Sequence, residues 1–113
     1  MSEFLFLYRG GISGGTPEQM QQQMQKWGDW MKDLAARGHI QHPGHPLDRS
    51  GMTVKGRQKT VIDGPYAEAK DLVGGYTLVQ ARDLHHAVEI SRGCPVFDTD
   101  GAVEVRPILS MGP

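Results

Sequence analysis

Apolar and polar positions follow two different periods along the chain. Residues 4–8 form a continuous apolar run of strand length, which predicts a central strand covered on both faces. After residue 16 the period becomes that of an amphipathic helix, whose apolar face consists of Met20, Met24, Trp27, Met31 and Leu34. Thr16 and Gln19 match a capping box at the start of this helix, and Gly38 matches a cap at its end.

Strand patterns dominate the rest of the chain, with one more helix among them. Further strands are predicted at residues 52–55, 59–62, 75–81 and 102–109. The first two flank Gly56 and Arg57 and so predict a hairpin, and a second helix is predicted to begin after Asp83. The His- and Pro-rich residues 39–50 and the glycine-rich residues 10–15 predict loops.

The predicted order of elements is β-α-β-β-β-α-β, without repeats or linkers. This order predicts one α+β domain over residues 1–113, with two helices on one face of a mostly antiparallel sheet. Such a sheet leaves its other face uncovered. An uncovered apolar face indicates a partner, for which a second copy of the chain is the simplest choice, and we therefore expect a homodimer.

Charge and cysteine content narrow the classes of protein to consider. Lys and Arg total 12 against 13 Asp and Glu, a formal net charge of −1, which disfavours sequence-independent nucleic-acid binding. No apolar run approaches the roughly 20 residues of a membrane span. The single cysteine, Cys94, excludes an internal disulfide and suits a reducing compartment. Because residues 1–3 lack the positive charge of a secretory signal, we expect a cytoplasmic protein.

One segment carries a recognisable motif. Asp63-Gly64-Pro65-Tyr66, followed by Glu68 and Lys70, resembles the signature of the DGPF-type branch of the YCII-related family. Residues 74–76, 93–95 and 103–108 are similar to other parts of that family, so the resemblance covers nearly the whole chain. It implies a ferredoxin-like fold that pairs sheet to sheet as a dimeric α/β barrel, in the cytoplasm.

The resemblance implies less about function. The wider family is similar to muconolactone-isomerase-type enzymes and includes a dehydrochlorinase, for which a His-Asp pair is the suggested active site. That histidine lies at the start of the first helix, and residues 16–38 of this chain contain none. Of the family's functional residues, the resemblance therefore assigns only Asp63 and the motif around it in this chain. Other members of the branch are linked to sigma factors.

Asp63 is the first candidate for chemistry. A carboxylate partly buried at a strand end acts as a base or an anchoring acceptor, whereas Asp before Gly-Pro also serves as a turn former. The motif has three other polar side chains that are expected to contact a small anionic or polar ligand, namely Tyr66, Glu68 and Lys70. The alternative is a solvated loop. Tyr8 and Arg9 end the first strand, where side chains often face a pocket.

Histidine and cysteine supply the remaining candidates. His39, His42 and His45 are spaced by three, a pattern that suits zinc only if the rings converge, which nothing in the sequence requires. We favour instead a single ligand-binding histidine, His45, near Asp63, with no metal. Cys94 follows a helix end and is predicted to be a packed, structural cysteine. No cofactor motif is present, so we predict no cofactor.

Two functions follow from these observations. The first is a protein that binds a small molecule near the Asp-Gly-Pro-Tyr motif, with a cofactor-free isomerase or lyase reaction as its catalytic form. The second is a non-enzymatic dimeric module linked to sigma factors. The fold alone does not choose between them, because one fold serves many functions.

Overall fold

A computed structural model describes residues 1–11 and 15–111, without the side chain of residue 69. Part of the predicted glycine-rich loop, residues 12–14, lies outside the described residues. The strands are β1 (Ser2–Arg9), β2 (Ile40–His42), β3 (Met52–Lys55), β4 (Thr60–Asp63), β5 (Val73–Ala81) and β6 (Ala102–Pro107). The helices are α1 (Pro17–Ala36) and α2 (Leu84–Ser91), with short 3₁₀ turns at Ala69–Asp71 and Pro95–Thr99.

Within the described residues, the main sheet has four antiparallel strands in the order β2-β5-β1-β6. With one helix after β1 and another after β5, this is the ferredoxin-like arrangement, so the predicted α+β class with two helices on one face is confirmed. β3 and β4 pair only with each other among the described residues and form a separate two-stranded sheet. This hairpin is inserted between two strands of the main sheet.

The core lies between the helices and one face of the sheet. Alternation along β1 directs Phe4, Phe6 and Tyr8 into this layer, where each is buried. The ring of Phe6 stacks on that of Trp30 with their centroids 6.4 Å apart. Leu5 and Leu7 point to the opposite face and are half-buried there. The prediction that this strand is covered on both faces is therefore wrong for the single chain.

Helix α1 begins and ends where its sequence predicts. The Thr16 hydroxyl accepts a hydrogen bond from the Gln19 backbone, and the Gln19 side chain accepts one from the Thr16 backbone, which completes the capping box. Gly38 follows the helix with a φ of +79°. The predicted apolar face is not wholly buried in the single chain, because Met20 and Met24 are 48% and 74% exposed. Only the second half of the helix lies over the sheet core.

The predicted loop over residues 39–50 contains an edge strand. β2 pairs with β5 from Ile40 to His42, and Pro46 forms an isolated bridge with Gly75. A three-residue strand with a register shift is too short for a period-two pattern, which is why the sequence does not reveal it. The last strand ends at Pro107, two residues earlier than predicted.

Candidate functional site

The motif lies where the hairpin returns to the body of the protein. Asp63 ends β4, and the Gly64 amide donates to the Gly51 carbonyl at 2.9 Å, which closes the base of the hairpin. Gly64 has a φ of +98°, a conformation that favours glycine. The Thr53 hydroxyl donates to the Gly64 carbonyl at 2.9 Å. Backbone groups and Thr53 therefore hold this turn.

The Asp63 side chain plays no part in holding the turn. It is exposed, and within the described residues its carboxylate has no hydrogen-bond or ion-pair partner. The expectation of a partly buried carboxylate is thus wrong for the single chain. A turn anchored by this side chain is not observed either, so Asp63 is free to contact a ligand.

A cleft of about 690 Å³ lies beside the motif. Its walls come from the hairpin, from the segment before it, from the motif and from the strand ends of the main sheet. The apolar walls include Leu47, Met52, Val54, Leu72 and Val73, and the polar walls include Arg9, Asp48, Ser50, Thr53 and Tyr66. Apolar walls with a few polar groups are typical of small-molecule sites.

Among the described residues that line this cleft Arg9 is the cation, and two hydrogen bonds orient its side chain. Its Nε donates to Glu104 Oε1 at 2.7 Å, and its Nη1 donates to the Asp71 carbonyl at 2.7 Å. The hydrogen bond from Arg9 is the main cause that holds the pKa of Glu104 below its ordinary value. A guanidinium has five N–H groups, so these two bonds orient it and leave donors for a ligand.

Tyr8 does not share the cleft with Arg9, which corrects the prediction that both face one pocket. Its side chain is 7% exposed and lies on the helix side of the sheet, 4.8 Å from Trp27 between ring centroids. The Tyr8 hydroxyl donates to Thr77 Oγ1 at 2.7 Å, and the Thr77 hydroxyl donates to the Pro43 carbonyl at 3.0 Å. Burial raises the pKa of Tyr8. The side chain has a role in the core.

The other motif residues differ in position. Tyr66 lines the cleft and is 85% exposed. Glu68 and Lys70 are exposed and are not among the cleft walls. Of the motif's polar side chains, the structure therefore brings Tyr66 together with Arg9, while Asp63, Glu68 and Lys70 lie outside the walls.

The three loop histidines do not converge. The ring centroids of His42 and His45 lie 6.0 Å apart. The ring centroid of His45 lies 6.1 Å from that of Tyr76, and His45 is not among the cleft walls. His39 contacts His86 instead, at 5.3 Å. Among residues 1–11 and 15–111 no group of three or more His, Cys, Asp or Glu residues is placed to hold a metal ion.

Cys94 is 3% exposed, which confirms a packed cysteine. Burial raises the pKa of its thiol to about 12, so the thiolate is disfavoured at neutral pH.

Sequence reasoning missed Leu47, Asp48 and the hairpin residues of the cleft. Asp48 Oδ1 accepts from the Ser50 amide at 2.9 Å, and the hydrogen bonds from Ser50 lower the pKa of Asp48. An Asp two residues before Ser is a local signal for such a turn. Nothing in the sequence, however, indicates that this turn faces Arg9.

Three comparisons place the chain among known proteins. The family model described as "YCII-related domain" matches residues 5–112. No curated protein matches. Among solved structures, the chain is similar to the 5-chloro-2-hydroxyhydroquinone dehydrochlorinase of Burkholderia phenoliruptrix AC1100 in complex with 2,5-dihydroxybenzoquinone. The identity is 18% and the TM-score 0.49, over 97% of this chain and 95% of that one.

No helix within the described part of the chain is long and apolar enough to cross a membrane.

Proposed function

This chain belongs to the YCII-related family, and we propose that it binds a small polar molecule in the cleft beside the Asp-Gly-Pro-Tyr motif. The observation that carries the proposal is the position of Arg9. An oriented guanidinium faces an otherwise largely apolar cleft, next to Pro65 and Tyr66 of the motif. This combination favours a ligand with an apolar body and one anionic or strongly polar end.

The size of the cleft supports a small ligand. Small-molecule sites commonly enclose about 300–1,000 Å³, and this one has about 690 Å³. Met52, Val54 and Leu72 offer contact to an apolar ring or chain. Arg9 offers charge-assisted hydrogen bonds to a carboxylate or enolate oxygen, which are roughly twice as strong as neutral ones.

The roles of the motif residues belong to the same proposal. Tyr66 contacts the ligand from the rim of the cleft. Asp63 acts as the anchoring acceptor or, in an enzyme, as the base of a cofactor-free isomerisation or elimination. Glu68 and Lys70 lie outside the cleft walls, so they contact only a polar end of the ligand that extends beyond those walls. We leave Tyr8 out of the site because it is buried in the core, and His45 because its ring lies against Tyr76.

Assembly and location complete the proposal. The uncovered face of the sheet carries Leu5, Leu7, Tyr76 and Leu78, all half-buried in the single chain. A homodimer that packs these faces together gives the dimeric α/β barrel expected of the DGPF branch, in the cytoplasm. The alternative of a non-enzymatic dimeric module shares this interface but requires no ligand in the cleft.

Two simple probes test ligand binding. Benzoate has an aromatic body and a carboxylate, whereas benzyl alcohol has the same body without charge. In ¹H–¹⁵N spectra of the native protein, we expect benzoate to shift amides of Arg9 and of residues 47–54, 66–67 and 72–73. Benzyl alcohol should bind the same place more weakly.

Arg9→Gln should weaken benzoate binding about tenfold, because a charge-assisted bond is lost, and should change benzyl alcohol binding little. The control is Arg92→Gln, since Arg92 also pairs with a glutamate, Glu89 at 3.4 Å, but is not a wall of the cleft. Shifts confined to other surfaces, the absence of shifts with both probes, or equal loss in both variants would overturn the proposal.

A further inference from the structure

The hairpin arm, which we define as β3 and β4 with their connecting turn, has one apolar face that nothing in the described chain covers. Met52 is paired with Asp63, and Val54 with Val61. Directly paired residues of antiparallel strands point to the same side, so Met52, Val54 and Val61 form one arm face, with Asp63 at its end. These residues are 69%, 63% and 59% exposed.

An arm of this kind is poorly supported by the single chain. An isolated two-stranded hairpin is marginally stable in water. The arm shares no strand ladder with the main sheet among the described residues, and on its other face Ile62 is 43% exposed as well. The arm therefore requires a covering surface.

The surface area of the whole chain indicates what that covering surface is. A monomer of 12.5 kDa is expected to expose about 6,200 Å², whereas this chain exposes 8336 Å². The excess of roughly 2,100 Å² is what each subunit of a large homodimer buries. The radius of gyration of 15.7 Å likewise exceeds the roughly 13 Å of a compact chain of this length. A second copy of the same chain accounts for an excess of this size.

The arm face is continuous with both the cleft and the uncovered sheet face. Met52 and Val54 are walls of the cleft, and so is Arg9. Arg9 also ends the row of β1 side chains, Leu5 and Leu7, that points away from the helices. One second copy placed on the sheet face can thus reach the arm across the open side of the cleft.

We infer that the second copy of the chain packs on the arm face and closes the cleft, so that the binding site is complete only in the homodimer. This inference rests on the proposed function, because it takes the cleft to be the ligand-binding site. The second copy is what covers the arm: the arm belongs to the interface between copies, and Val61 lies in that interface without being a wall of the cleft.

Hydrogen exchange tests the position of the arm. We expect amides of residues 52–55 and 60–63 to exchange at least tenfold more slowly at protein concentrations where the dimer dominates than where the monomer dominates. Equal exchange on both sides of the monomer–dimer transition would place the arm outside the interface and overturn the inference.

Two neighbouring substitutions provide the matched test. Val61→Glu places a carboxylate on the arm face and should raise the dissociation constant of the dimer by about 100-fold, because an unpaired charge would be buried. Thr60→Glu introduces the same charge on the opposite face and should change it less than about threefold. Circular dichroism checks that both variants keep the main fold. Equal effects of the two variants, or none from Val61→Glu, would overturn the inference.

The outcomes separate the inference from the proposed function. If the arm is protected in the dimer but neither benzoate nor benzyl alcohol binds, the ligand proposal fails and the interface stands. If the probes bind with equal affinity to the Val61→Glu monomer and to the native dimer, the cleft is complete in one copy and the inference fails.

Discussion

Tyr8 and Arg9 show how one step along a strand separates two roles. Alternation sends the Tyr8 ring into the layer between sheet and helices, and the Arg9 guanidinium to the cleft on the other side. The sequence shows both as polar residues at a strand end. Their difference follows from the parity of their positions relative to Phe4 and Phe6, which share the buried side with Tyr8.

The buried Tyr8 hydroxyl and Cys94 thiol predict that the protein loses stability at alkaline pH. The ordinary pKa values are 10.0 for Tyr8 and 9.0 for Cys94, and burial raises both in the folded protein. The unfolded chain therefore binds fewer protons than the folded one above about pH 9. Stability should fall from there, by up to about 1.4 kcal/mol per pH unit for each group.

Urea unfolding between pH 8 and pH 11 measures this dependence. Tyr8→Phe should remove the part of the fall in unfolding free energy with pH that is due to Tyr8. Cys94→Ala should remove the part that begins near pH 9. Tyr66→Phe is the control, because Tyr66 is 85% exposed, and it should keep the native slope. A Tyr8→Phe variant with the native slope would show that this hydroxyl does not stay protonated in the folded protein.

At the scale of elements, local signals predict local structure. The capping box of α1 and the Asp83 cap of α2, whose carboxylate accepts from the His86 amide at 2.8 Å, are both visible in the sequence. The exposure of Met20 and Met24 is not, because it depends on where the sheet beneath the helix ends. Likewise, the hairpin of β3 and β4 is predicted correctly, but its departure from the main sheet is a tertiary property.

The same substitution, glycine to alanine, should have opposite effects on stability at two positions. Gly28 lies within α1, and a β-carbon there would meet no atom within 4 Å, so Gly28→Ala should stabilise the protein by about 0.5–1 kcal/mol. Gly44 has a φ of +74°, and a β-carbon would collide with the Tyr76 carbonyl. Gly44→Ala should therefore cost about 1–3 kcal/mol. Chemical unfolding of both variants gives the comparison, and equal stabilities would contradict the described contact between this loop and β5.

At the scale of the molecule, the cleft could not be predicted because distant parts of the chain form it. Arg9 comes from the first strand, Met52 and Val54 from the hairpin, and Tyr66 from the motif. The motif itself is the part of the site that the sequence reveals. What the motif faces depends on the packing of four separate segments, which no local pattern encodes.

The shape of the molecule, like its open cleft, indicates packing with a second copy. The chain measures 49 × 45 × 19 Å along its principal axes, a thin two-layer body. Its uncovered sheet face, its arm face and the open side of its cleft are continuous. Packing with a second copy would bury all three surfaces together.

The mass of the native protein in solution tests this dependence most directly. Sedimentation equilibrium over a series of concentrations should give twice the chain mass of 12.5 kDa, with dissociation only on dilution. A homodimer would support a binding cleft completed between two copies. A mass of one chain at every concentration up to the solubility limit would contradict the proposed homodimer and leave the arm face and the sheet face without a partner.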